Sequence, residues 1–175
     1  MLEARTFVDN LNKAKEILKS QNANLKGKYA SQNIIYASKD PSKTLADVFL
    51  RLRHHSLNIW EEKDVIVAIK ETKLKRIGKD SIIPLKKEFD TEEDAREFID
   101  KNYSGQFKYS FEYGCIGWQY NLGGDQVDLE DIEGHLSIEF KSKTVEGLER
   151  LLKLFGIKEV IKGPTVIAVK EMLNR

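Results

Sequence analysis

The stretch Val48-Phe49-Leu50-Arg51-Leu52-Arg53 constrains the fold most. A β-strand sends successive side chains to opposite faces. Leu50 and Leu52 therefore share one face, and Phe49, Arg51 and Arg53 share the other. The leucines need a core. Arg51 and Arg53 are left pointing the same way, about 7 Å apart along the strand. Two guanidinium groups this close repel unless water or an anion separates them. Two readings are open: a half-buried strand with a solvated basic face, or a surface that receives phosphate, whose oxygens match the planar fork of an arginine.

Composition narrows the setting. The 175 residues fit one domain, expected to span 1–175. Hydrophobic residues at 41% suffice for a core, and charged residues reach 33% with a net charge of +1. That balance argues against a generally basic nucleic-acid binder, so no nucleic-acid partner is expected, but it allows a local basic cavity. The single cysteine, Cys115, has no internal partner. It points to a reducing, cytoplasmic compartment and reads as a small core residue. No apolar run is long enough to span a bilayer, so no membrane association is expected. The N-terminus does not read as a signal peptide. Nothing in the pattern reads out oligomeric state, for which a homodimer is the common default.

Along the chain, short alternating segments dominate. Leu2 to Val8 reads as a strand with Glu3, Arg5 and Phe7 on one face, and Asp9 as the cap of a helix carrying Leu11, Ala14, Ile17 and Leu18. Strands are expected over Tyr29–Ser38, around Arg51, over Asp64–Thr72 and over Ile82–Phe89, with a basic loop at Lys73–Lys79. Asp90 and Glu93 have capping-box spacing before a second helix. Gln106–Tyr113 and Ile116–Leu122 read as a hairpin of aromatic strands, and Gly123-Gly124-Asp125 as a turn. Val127–Ile132 and His135–Lys141 follow as strands. Thr144 opens a third helix that Gly156 ends, and Thr165–Asn174 reads as helical. His54 and His55 point to opposite sides of a strand and cannot easily share a metal. Trp118 and Tyr120 suit either barrel packing or stacking on a ligand ring.

Strand, cap and short amphipathic helix recur three times, at Glu3 with Asp9, Glu88 with Asp90, and Glu139 with Thr144. Closing so many strands into a barrel removes their edges. The expected fold is α+β: a closed antiparallel β-barrel of about eight strands with short helices packed outside. Its interior would collect the mid-strand cations Arg5, Arg51, Arg53, Lys70, Lys108 and Lys141 with the anions Glu3, Glu88, Glu130 and Glu139. Buried charges need partners, so such a cavity must hold water or a polyanion. Cations suit phosphates, and carboxylates suit Mg²⁺ or Mn²⁺, hard ions that bridge to phosphate oxygens.

The order of these pieces resembles the CYTH superfamily, the triphosphate tunnel metalloenzymes that include class IV adenylate cyclases and thiamine triphosphatases. Glu3-Ala4-Arg5 resembles the end of the family's opening Glu-x-Glu-x-Lys strand, with Met1 where the first acid stands. Asp40 to Arg53, through Thr44-Leu45 and Leu52-Arg53, resembles its Leu-Arg-x-Arg region. Val67-Ala68-Ile69-Lys70 is similar to its lysine-bearing strand and Lys86-Lys87-Glu88-Phe89 to its central acidic strand. Phe107-Lys108-Tyr109-Ser110 resembles a Lys-x-Arg strand with Ser110 replacing the arginine. Val127 to Gly134 resembles the Leu-Asp-x-Val-x-Gly strand, and Glu139-Phe140-Lys141 the closing Glu-x-Glu with Lys141 in place of the last acid.

The resemblance implies a tunnel in which Arg5, Arg51, Arg53, Lys70 and Lys108 bind phosphate and Glu3, Glu88, Glu130 and Glu139 bind Mg or Mn. No catalytic residue is assigned. The implied ligand is a small-molecule triphosphate: ATP, thiamine triphosphate or inorganic triphosphate. The implied activity is that of a metal-dependent triphosphatase or an adenylate cyclase-like enzyme. The loss of acids at Met1 and Lys141, with the bases kept, opens an alternative: a non-catalytic polyphosphate- or nucleotide-binding protein that has lost part of its metal site.

Overall fold

A computed structural model describes residues 1–58, 64–161 and 163–174. Eight strands close into an antiparallel barrel: β1 (Leu2–Phe7), β2 (Asn24–Ser38), β3 (Val48–Leu57), β4 (Asp64–Leu74), β5 (Lys79–Phe89), β6 (Phe107–Leu122), β7 (Asp125–Ile132) and β8 (His135–Ser142). Around the wall the order is β1-β5-β4-β3-β2-β6-β7-β8. This circuit sets β3 and β4 across the barrel from β7 and β8. The seam between β1 and β5 is the shortest, pairing only Leu2 with Asp80 and Glu3 with Lys79.

Apolar residues of alternate positions face outward and are covered by helices. α1 (Asn12–Ser20) and α3 (Val145–Phe155) pack Leu18, Leu148, Leu151 and Phe155 on Val127, Leu129, Ile138 and Phe140. α2 (Glu92–Tyr103) packs Ala95 and Ile99 on Ile34, Leu50, Leu52, Val65 and Val67. Leu50 and Leu52 thus find the core their alternation requires. α4 (Thr165–Leu173) behaves differently. Its Val166 and Val169 join Tyr29, Ile35, Phe49, Tyr113, Cys115 and Ile132. Ile35 pairs with Arg51 and lies on the same face, so this third cluster is inside the barrel. Among the described residues, no helix is long and apolar enough to cross a membrane.

Local signals were read unevenly by the sequence. Thr144 caps α3, its hydroxyl accepting from the Gly147 amide at 3.0 Å, and Gly156 ends it in the left-handed region at φ 67. Asp9 does not cap α1: the N-cap is Leu11, with no side-chain bond, while Asn10 accepts from the Asn12 amide. Thr91, not Asp90, caps α2, accepting from the Asp94 amide at 3.1 Å. The expected aromatic hairpin is instead one strand, β6, running straight through Gly114. Gly114 pairs with Gln32, so the long partner β2 holds it in the ladder. The real turn is at Gly123 and Gly124, both at positive φ.

Candidate functional site

Inward-facing side chains line a cavity of about 290 Å³. Its charged residues are six cations, Arg5, Arg51, Arg53, Lys70, Lys79 and Lys141, and four carboxylates, Glu3, Asp128, Glu130 and Glu139. Fully ionised, this leaves an excess of two positive charges. The signs are not mixed evenly.

The acidic wall is built on β1, β7 and β8. Register places Arg5 opposite Glu139 and Glu139 opposite Asp128. The neighbouring row runs Lys79, Glu3, Lys141, Gln126 across β5, β1, β8 and β7. Strand pairing thus sets Arg5 against Glu139 and Glu3 between Lys79 and Lys141, but it also sets the like charges of Glu139 and Asp128 side by side. Arg5 binds Glu130 and Ser137 through Nη1, Glu139 through Nη2 at 2.8 Å and Thr165 through Nε at 3.1 Å. Lys141 Nζ lies 2.8 Å from Asp128 and 2.7 Å from Glu139. Lys79 Nζ donates to Thr165 at 3.1 Å and lies 3.9 Å from Glu3. Burial by itself would push Glu139 up, but Arg5, Lys141 and Lys79 hold its carboxyl well below the usual range. Burial dominates for Asp128 and pushes it up despite Lys141.

The basic wall, on β3 and β4, is unlike this. Arg51 and Arg53 lie on one face of β3, and Lys70 pairs with Phe49 beside them. The Nε atoms of Arg51 and Arg53 are buried without a hydrogen-bond partner. Arg53 uses Nη2 on His55 Nδ1, 2.8 Å away. Burial and the Arg53 charge pull His55 down to about 4, which keeps its ring neutral as an acceptor. Lys70 makes no ion pair or hydrogen bond among the described residues. Burial first, then Arg51, lowers it to about 7, and burial with Arg53 lowers Arg51 to about 10. Among the described residues, none of these three groups has an ion-pair partner.

A tyrosine locks the acidic wall. Tyr29 of β2 pairs with Gly117 of β6, and Gly117 with Glu130 of β7. With no side chain at 117, the Tyr29 ring crosses that strand and its hydroxyl donates to Glu130.

Two residues expected in the site are corrected. Glu88 is in register with Ile66 and Arg53, so its face was read rightly. Beyond the short β1–β5 seam, however, no strand covers that edge of β5. Glu88 is 68% exposed and pairs with Lys86 at 3.2 Å. Lys108 is also exposed and outside the lining. It follows a register shift at Ile35/Tyr36, and near it Ser110 and Phe111 meet Lys170 of α4. Glu3, Arg5, Arg51, Arg53, Lys70, Glu130 and Glu139 all line the cavity. The sequence reading missed Lys79, Asp128, Tyr29 and Thr165. Asp128 was legible, since it shares the Glu130 face by alternation. Trp118 and Tyr120 pack outside, Trp118 beneath Lys15 and Lys28. His54 faces Glu92, 2.9 Å away, outside the site.

The expected Mg or Mn would have to be held by the carboxylates of this wall. Oxygens of Asp128, Glu130 and Glu139 gather within 4.8 Å, and carboxylate oxygens are the donor type these ions take. Yet each of the six oxygens already lies against a protein donor. Asp128 faces Gln126 and Lys141. Glu130 faces Tyr29, Arg5 and Ser137. Glu139 faces Arg5 and Lys141. As the side chains stand, a divalent ion does not fit.

No protein-family model matches the chain, and no curated protein matches it. Solved structures do. The PH1819 protein of Pyrococcus horikoshii OT3 is 19% identical, with TM-score 0.71 over 99% of this chain and 98% of its own. HpAC1 from Hippeastrum, described as a candidate adenylyl cyclase with a dominant triphosphatase activity, is 17% identical, with TM-score 0.66 over 98% and 95%. A candidate adenylate cyclase of Bacillus halodurans is 15% identical, with TM-score 0.66 over 95% of each chain. The closed eight-stranded barrel with short outer helices is a fold that this chain shares with these structures. The barrel is matched almost end to end, as the expected fold implied, while the identities leave the chemistry to be argued from the site.

Proposed function

We propose that this CYTH barrel binds a small molecule through a triphosphate group, with Arg51, Arg53 and Lys70 as the phosphate-holding residues. One observation carries the reading: three half-buried cations stand together on one wall with no ion-pair partner among the described residues, whereas Arg5, Lys79 and Lys141 on the other side are engaged. Leaving such charges unpaired is costly, and a polyanion removes the cost. Arginine forks suit phosphate oxygens, and the cavity is of a size for a small polar ligand. Arg5 is turned away from the role expected of it: four of its five N–H donors go to Glu130, Glu139, Ser137 and Thr165, so it holds the acidic wall in place.

Inorganic triphosphate, ATP and thiamine triphosphate are the candidate ligands. Isothermal titration with each tests the reading. Saturable binding of at least one, weakened at least about tenfold in Arg51→Gln, is the expected result. Absence of binding for all three contradicts it.

A second reading is metal-dependent hydrolysis or cyclisation of the bound triphosphate. The buried acidic cluster and the triphosphatase activity stated for HpAC1 favour it. It requires a divalent ion to enter where Lys141 now sits. Release of phosphate or cyclic nucleotide under Mg²⁺ or Mn²⁺ would support it, and no turnover under either ion would reject it.

A further inference from the structure

We infer that the Lys141 ammonium serves in place of a divalent cation, so that this barrel takes up triphosphate without metal. The inference rests on the triphosphate reading above and deepens it. Lys141 lies between two carboxylates that register brings together, Asp128 at 2.8 Å and Glu139 at 2.7 Å. An ammonium has three N–H donors. Two are spent on these carboxylates, and the third remains for a phosphate oxygen. The Lys141 side chain is 21% exposed while Asp128 and Glu139 are nearly sealed, and it lines the cavity, so Lys141 is the residue of this cluster most open to a ligand there. That is the bridging geometry of a metal: carboxylates behind, phosphate in front.

Charge supports the same conclusion. The acidic wall carries Glu3, Asp128, Glu130 and Glu139, and Arg5, Lys79 and Lys141 leave it only one charge short of neutral. A divalent ion added beside a charged Lys141 would meet repulsion at close range. An ion that replaced it would have to break both ion pairs. Neither obstacle applies to a triphosphate approaching the lumen from the side of Arg51, Arg53 and Lys70.

The test has two arms. In the first, wild-type protein without phosphate is titrated with Mn²⁺ and bound ion is read by electron paramagnetic resonance. No stoichiometric binding is expected, and Lys141→Gln is expected to gain at least about tenfold in Mn²⁺ affinity as Asp128 and Glu139 are freed. In the second, calorimetry compares inorganic triphosphate binding to the wild type in EDTA and in Mg²⁺. Binding in EDTA that Mg²⁺ does not strengthen is expected. Stoichiometric Mn²⁺ on the wild type, or triphosphate binding that appears only with Mg²⁺, overturns the inference and leaves the triphosphate reading intact. Triphosphate binding in neither condition rejects the triphosphate reading and this inference with it. The wild-type measurements decide the matter even where Lys141→Gln does not fold.

Discussion

Lys141 Nζ lies 2.7 Å from Glu139 Oε2, two residues earlier on β8 and on the same face of the barrel. Period-two geometry alone brings them together. The same ammonium holds Asp128 on the adjacent strand. Replacing it by an apolar residue would leave the buried Asp128 without a cation and Glu139 with Arg5 alone, which costs about 3 kcal/mol. Lys141→Met is therefore expected to lower the urea midpoint strongly, and adding Asp128→Asn to restore part of the loss. A Lys141→Met midpoint equal to wild type would mean that the pair contributes nothing.

The basic wall predicts the opposite sign. Arg51 stands beside Arg53 with its Nε unpartnered. Removing a half-buried cation that has no ion-pair partner among the described residues relieves repulsion and desolvation. Arg51→Met is expected to stabilise the free protein by on the order of 1 kcal/mol while weakening triphosphate binding roughly 10- to 100-fold. Thermal melts and calorimetry on the same preparation check both halves. A destabilised Arg51→Met would show that Arg51 has a partner that matters to folding.

Lys70 gives a pH dependence. Burial and Arg51 lower it from 10.5 to about 7 in the folded state. Between those values the unfolded chain binds more protons than the folded one, so stability rises with pH across that window. The unfavourable contribution is complete below 7 and fades toward 10.5. An arriving triphosphate favours the charged lysine, so binding above pH 7 takes up a proton. Calorimetry at about pH 8 in buffers of different ionisation enthalpy should show an uptake that Lys70→Gln lacks. Equal proton uptake in both proteins would remove Lys70 from the site.

Gly117 is needed for a contact rather than for backbone freedom. A Cβ there would fall 2.4 Å from the Tyr29 ring. Gly117→Ala must displace Tyr29 and its bond to Glu130. A loss of about 2 kcal/mol is expected, read by denaturant titration, with Tyr29→Phe recovering little because Glu130 stays buried without that donor. A neutral Gly117→Ala would mean that the ring has room to move.

Much of this site was written in strand parity. Arg51, Arg53, Lys70, Glu130 and Glu139 face the lumen because alternation fixes their side once the leucines and valines between them are buried. Parity does not say how far a wall extends. Glu88 has the right parity on an edge of β5 that β1 is too short to cover. Lys108 lies past a register shift and outside the lining. Tyr29 and Thr165 were illegible for another reason. Their roles depend on a glycine in the neighbouring strand and on α4 packing inward, and neither leaves a periodic trace. Sequence alone reads β6 as a hairpin of Gln106–Tyr113 and Ile116–Leu122 because the glycine between them suits a turn until its partner Gln32 is known.

The most direct measurement is a crystal structure of the wild-type protein with inorganic triphosphate and no added metal. The account predicts phosphate oxygens within hydrogen-bond distance of Arg51, Arg53 and Lys70, with Lys141 still bridging Asp128 and Glu139. Triphosphate bound outside the barrel, or an empty lumen at saturating ligand, would contradict it.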